Sequence, residues 1–186
     1  VTDDRARGVR GFAWAGDSAT LLYLLDERGD GNTRLYAVAA EGGEARALTP
    51  AGARAEIAGV SAADATGVVV TLNARDANWP DLVRIDLATG AQTVIQRNAN
   101  TARVRGFTRF VLDRNNRLRL GLKTLTDGSV EVFARDAANR WYSLLTIPFE
   151  DAMTSQPLAF DADGRTFTML DSTGRDRAAL VRVDAY

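Results

Sequence analysis

The chain has 186 residues, 46% of them apolar and 25% charged, with 23 basic and 24 acidic residues and a net charge of −1. That is the composition of a folded globular chain, with material for one substantial core or an array of small repeats, and it lacks the basic stripe that nucleic acid or an anionic membrane would require. There is no Cys and no His, which excludes disulfides, thiolate metal sites, a Cys nucleophile and a Ser-His-Asp triad assembled from this chain alone.

No run approaches the roughly 18 apolar residues of a membrane-spanning helix, and VTDDRARGVR (1–10) lacks the continuous apolar region of a signal peptide. A soluble chain, cytoplasmic or periplasmic, is expected. Apolar residues at helical spacing never persist for three turns, whereas short β-rich runs bounded by turn residues fill the sequence.

In chain order, GFAWAGDSATLLYLL (11–25) reads as a short strand, a turn and a strongly apolar strand, and RLYAVAAEGGEARALT (34–49) as a third strand, a turn and a fourth. The pattern returns in VSAADATGVVVTL (60–72) with DLVRIDLATGAQTVIQ (81–96), and in FVLDRNNRLRLGL (110–122) with EVFARDAANRWYSLLT (131–146). It returns once more in LAFDADGRTFTML (158–170) with ALVRVDAY (179–186), which stops at the turn. Tyr36, Val83, Val132 and Val181 correspond to within a residue or two, at steps of 47, 49 and 49. A unit of four strands over about 45–50 residues is the period of a β-propeller blade.

The sequence therefore predicts an all-β fold of β-propeller blades, each with four antiparallel strands. About four blades are expected, over 9–50, 56–98, 103–148 and 155–186, the last lacking its outer strand. Val1-Thr2 reads as the tail of an outer strand from a preceding blade. An incomplete, open propeller exposes sheet edges and an apolar face, so association is expected, with the remaining blades or as a homodimer through the open edges.

Three strings taken together carry a resemblance. RGVRGFAWAGDSATLLYLLDERGDGNTRLYAV (7–38), LNARDANWPDLVRIDLATG (72–90) and IPFEDAMTSQPLAFDADGRTFTMLDSTGRDRAALVRVD (147–184) resemble, in order, propeller segments of the prolyl oligopeptidase family of serine peptidases, particularly its bacterial acylaminoacyl- and dipeptidyl-peptidase-like members. The resemblance implies a parent enzyme in which an α/β-hydrolase domain carries the Ser-Asp-His triad while the propeller caps it and restricts access to peptide substrates. The hydrolase domain is absent from this sequence, so the resemblance transfers no catalytic residue. The implied partners are that hydrolase domain, the remaining blades and the parent's peptide substrate.

Local candidates are weak beside their turn readings. Gly16-Asp17-Ser18-Ala19-Thr20 falls one residue short of a G-x-S-x-G nucleophile elbow, lies between two strands and has no His to serve it. Asp26-Glu27-Arg28-Gly29-Asp30-Gly31 echoes a calcium loop, but Arg28 and Ala37 stand where carboxylates are required, so a hairpin turn is expected. Asp113-Arg114-Asn115-Asn116 and Asp161-Ala162-Asp163-Gly164 recur at equivalent places, as turn chemistry does. Phe12 and Trp14 read as inter-blade core. In Arg75-Asp76-Ala77-Asn78-Trp79-Pro80-Asp81, Pro80 holds Trp79 extended. Arg75, Asp76 and Trp79 are the candidate contacts for a partner domain or peptide. No catalytic, cofactor or metal residue is assigned.

Three functions remain: a non-catalytic, substrate-selecting propeller segment of a serine peptidase, a stand-alone peptide-binding module that closes by self-association, or a hydrolase that uses the propeller directly. The last needs a clustered Arg, Tyr and carboxylate site or a ligated metal, and the sequence suggests none. A serine-reactive fluorophosphonate is expected to leave this chain unlabelled, as read by intact mass. Stoichiometric labelling at Ser18 would restore the elbow.

Overall fold

The computed structural model describes residues 8–102 and 104–186; Val1 and Thr2, read above as the end of an earlier strand, lie outside them. Four antiparallel sheets account for nearly all the regular structure. The first contains β1 (Val9–Trp14), β2 (Thr20–Leu25), β3 (Arg34–Ala39) and β4 (Arg46–Ala47), hydrogen-bonded in that order. The second contains β5 (Ala55–Gly59), β6 (Gly67–Leu72), β7 (Asp81–Asp86) and β8 (Gln92–Gln96). The third contains β9 (Arg109–Leu112), β10 (Leu118–Thr124), β11 (Val130–Arg135) and β12 (Trp141–Ile147). The fourth contains β13 (Gln156–Phe160), β14 (Thr166–Asp171) and β15 (Ala179–Asp184), three strands among the described residues. This sequential up-and-down topology, repeated four times, is that of propeller blades. Two short 3-10 turns, Ala62–Asp64 and Phe149–Asp151, are the only helical elements among the described residues, and no helix is long and apolar enough to cross a membrane.

The chain divides into two compact units, residues 1–98 and 99–186, each holding two sheets. In the first unit the apolar run of β2 is apolar on both faces. Leu22 pairs with Ala37, and Leu24 with Leu35, on one face, while Leu21 and Tyr23 look the other way. The Leu22 face packs against Val68, Val70, Val83 and Ile85 of the second sheet, with Ala53, Ala55 and Leu48 filling the seam. Gly16, in the β1–β2 turn, sits directly on this seam: a Cβ there would lie 2.0 Å from the carbonyl oxygen of Ser61. Only glycine allows the two backbones to approach so closely.

The second unit repeats the plan. Leu120, Leu122, Val132 and Ala134 of the third sheet form a core with Phe160, Phe167 and Met169 of the fourth. Phe167 stacks obliquely on Phe160 with ring centroids 5.3 Å apart, and the Tyr142 hydroxyl donates to the carbonyl of Ala185.

Register slips occur where first strands meet second strands, between Val9 and Gly11, Ile57 and Gly59, Leu118 and Leu120, and Pro157 and Ala159. Each adds one residue to one strand of its pair and sharpens the local twist. Phe167 is fully buried, so Phe167→Ala is expected to cost about 3–5 kcal/mol. Leu180→Ala, on an exposed side chain, should stay within about 0.5 kcal/mol. Urea titration of the two variants measures both, and equal losses would place the core elsewhere.

Candidate functional site

The loop between β6 and β7, residues 73–80, brings Arg75, Asp76 and Trp79 together. Its shape comes from side chains bonding to backbone. The Asp76 carboxylate accepts from the N–H groups of Asn78 at 3.0 Å and Trp79 at 3.2 Å, closing an Asx-type turn that delivers the chain to Pro80. Asn73 accepts from the Arg54 N–H at 2.6 Å, fastening the start of the loop to the end of residues 50–54.

Arg75 is the hub. Its Nε and Nη2 form a bidentate pair with Asp81 at 2.8 and 2.7 Å, and Nη2 also donates to the Asn98 carbonyl at 3.0 Å. Asp81 is 5% exposed and accepts in addition from the Asn98 N–H at 2.7 Å. Burial pushes the Asp81 carboxyl up, but the Arg75 guanidinium and the Asn98 N–H more than offset it, so the group sits below the ordinary carboxylate range. The same pair raises Arg75.

The first two candidate residues thus build the loop, and the half-buried Trp79 is presented on it. Beside the loop, Asn32, residues 50–53, Asn73, Ala74 and Ala77 line a shallow cleft of about 360 Å³.

The remaining candidates resolve into turn chemistry. Ser18 has φ of 56°, the left-handed value of a tight turn, yet it joins β1 to β2 rather than a strand to a helix. Its neighbour Asp17 accepts from the N–H groups of Ala19 and Thr20, both at 2.9 Å. The Asp26 carboxylate is buried and accepts from Gly29 at 2.6 Å and Gly31 at 3.2 Å, and Asp30 accepts from the Asn32 N–H at 2.9 Å. These oxygens are spent on backbone donors. No group of three or more acidic side chains stands close enough to hold a metal among the described residues. Asp113 and Asp163 cap their hairpins in the same way, through the N–H groups of Asn115 and Arg165.

One expectation is corrected. Phe12 and Trp14 are not core: they are 73% and 53% exposed. Strand alternation directs them to the face of the first sheet opposite the Leu22 core.

Two clusters were not singled out from sequence. Lys123 lies 4.8 and 4.5 Å from the ring centroids of Phe107 and Phe133, and Arg135 lies 4.5 Å from that of Trp141. The Ser172 hydroxyl donates to Asp151 at 2.7 Å and lies 3.0 Å from the Ser155 hydroxyl. Without a His between serine and carboxylate this second cluster lacks a general base; it fastens the β14–β15 turn to the 3-10 turn. Phe107 and Phe133, like Ser155 and Ser172, are distant in sequence, and no local motif marks these clusters.

No family model matches the chain. Its fold and repeated sheets define a β-propeller segment. Over 185 residues, 99% of the chain, it is 38% identical to dipeptidyl aminopeptidase BIII of Pseudoxanthomonas mexicana, and it spans 26% of that protein. Prolyl oligopeptidase B from Galerina marginata superposes with a TM-score of 0.65 at 11% identity, over all of this chain and 26% of that one. An oligogalacturonate lyase from Vibrio parahaemolyticus superposes with a TM-score of 0.62 at 16% identity, over 97% of this chain and 52% of that one. The structural likenesses establish the fold. The sequence match bears out the resemblance to propeller segments of the prolyl oligopeptidase family.

Arg75→Ala is expected to cost about 2–3 kcal/mol at neutral pH, because it strands a buried carboxylate. Asp81 has a depressed folded pKa, so its contribution is full above the unfolded value of about 4 and fades as pH falls through the lower folded value. The gap between wild type and variant should therefore narrow in acid. Denaturant midpoints at pH 7 and pH 3 measure it, and a gap that stays constant would show that Arg75 acts through packing alone.

Proposed function

We propose that the chain is the non-catalytic propeller segment of a serine peptidase, capping an α/β-hydrolase domain and restricting which peptides reach it. The match to a dipeptidyl aminopeptidase along 99% of the chain carries this reading. Because the chain spans 26% of that relative, the catalytic machinery belongs to the remainder of the parent protein. The missing His is consistent with that division. The lyase likeness rests on fold alone, and one fold hosts many chemistries.

Within this reading the loop of residues 73–80 is the contact with the hydrolase domain or with peptide. Arg75 and Asp76 fix its shape, and Trp79 supplies a large, amphipathic surface at small entropic cost.

The test uses the full-length gene product. A fluorophosphonate should label one serine outside these 186 residues. Trp79→Ala should change kcat/KM for peptides about fivefold or more while leaving the rate of probe labelling unchanged, as expected for a contact worth about 1 kcal/mol. A full-length product that is neither labelled nor peptidolytic would overturn the proposal.

A further inference from the structure

The connection from β12 to β13, residues 148–155, is fastened at several points. Its 3-10 turn closes through the Asp151 N–H on the Pro148 carbonyl at 3.0 Å and the Ala152 N–H on the Phe149 carbonyl at 3.2 Å. The Asp151 carbonyl then accepts from the N–H groups of Thr154 at 3.0 Å and Ser155 at 2.8 Å. The buried Ser155 and Ser172 tie this turn to the start of the β14–β15 connection. The Ser172 hydroxyl donates to Asp151 at 2.7 Å, the Ser172 N–H donates to the Ser155 hydroxyl at 2.9 Å, and the Thr154 hydroxyl lies 2.6 Å from that of Ser172.

What this network holds out is apolar. Phe149 is 65% exposed and Met153 93%. Burial is what rewards apolar area, so folding gains little from either side chain there. Phe149 is nevertheless positioned. Gly128, with φ of 84°, lies against its ring, and a Cβ there would stand 2.5 Å from Phe149 Cδ2. Gly128 belongs to the β10–β11 turn, which joins the second and third strands of its sheet as loop 73–80 joins those of the second sheet.

The charges carried by these segments have one sign. Residues 124–134 and 141–164 contain no Lys or Arg, whereas Asp127 and Glu150 are exposed. Asp127 accepts from the Ser129 N–H and hydroxyl, while Glu150 stands next to Phe149 in the 3-10 turn. Arg175 and Arg177 follow the Ser172 anchor, and Arg175 is paired with Asp171 at 3.8 Å.

We propose that Phe149, Glu150 and Met153 form a subsite for the parent's peptide substrate, taking a large apolar side chain that has a cationic residue beside it. The proposal rests on the peptidase reading and names the substrate class. Two side chains fall far short of the roughly 800 Å² that each partner contributes to a domain-sized interface, but they match a single peptide side chain. Methionine, unbranched and polarisable, adapts to differing apolar shapes, so Leu, Phe and Met are all accepted. The Glu150 carboxylate favours a neighbouring Lys or Arg and repels Asp or Glu, a discrimination that salt weakens.

The test uses the full-length gene product, its reactive serine capped with fluorophosphonate where the probe reacts. Binding is read by anisotropy of fluorescein-labelled peptides with Lys-Leu-Lys, Lys-Gly-Lys and Glu-Leu-Glu cores. Lys-Leu-Lys should bind about tenfold more tightly than either of the others. Phe149→Ser combined with Met153→Ser should abolish the preference for Leu over Gly, and Met153→Leu should keep it. Glu150→Gln should reduce only the preference for Lys over Glu, about threefold, and high salt should do the same to the wild type. If the double variant loses stability, Met153→Ser alone, at a side chain with little packing to lose, should still weaken the preference for Leu.

Equal binding of the three peptides, or a preference for Leu that survives removal of Phe149 and Met153 side chains, would overturn the proposal. Labelling by the probe without these preferences sinks the subsite alone. The preferences without labelling or peptide cleavage sink the peptidase reading and leave a peptide-binding site.

Discussion

The structure depends on one constraint: the second strand of the first sheet, β2, is apolar on both faces. A four-stranded sheet can bury one such face against one neighbour. Leu22 and Leu24 are satisfied by the second sheet, but Leu21 and Tyr23 then face away from it. Hydrophobic burial is worth roughly 25 cal/mol per Å², so leaving one face wet forfeits a gain comparable to the one that holds a pair of sheets together. Repetition is the response, and this is why such units stack in arrays rather than stand alone.

The acidic residues serve the turns between these strands. Asp17, Asp86, Asp113, Asp136 and Asp163 each accept from an N–H two residues ahead. Asp17, whose hydroxyl partner Thr20 contributes most, and Asp86, whose partner is Thr89, are both held below the ordinary range. A carboxylate already accepting two or three donors is a poor general base and a committed ligand. These five aspartates are therefore committed to the turns they cap. The Arg75–Asp81 pair extends the same logic across a longer distance, tying a loop to the segment that follows β8.

What could be read from sequence follows from range. Strands, the period and the Asp-Gly, Thr-Gly and Gly-Gly turns are local, so ERGDGNTRLYAV (27–38) was legible as the connection from β2 into β3. The register was legible only to a residue or two because single-residue bulges interrupt the pairing of first with second strands, and no composition signal marks them. The loop of residues 73–80 was legible as unusual through Trp79-Pro80. That Arg75 is engaged by Asp81 and Asn98 was not, since Asn98 lies 23 residues away. Phe12 and Trp14 were misassigned because strand alternation tells which residues share a face but not which face is covered.

That misassignment is also the most informative difference. A hydrophobic residue predicted to be core and found exposed is either a cost the protein bears or part of a surface awaiting a partner. Isolated exposures are ordinary, but Phe12 and Trp14 lie two residues apart on one face, backed by the stacked Tyr23 and Tyr36. Elsewhere in the chain, Val68, Val70, Val83, Phe167 and Met169 are buried in the two cores. The repeat that made the fold legible thus also shows where its own pattern is left unsatisfied, and it ties the open aromatic face to the same physical cause as the two cores.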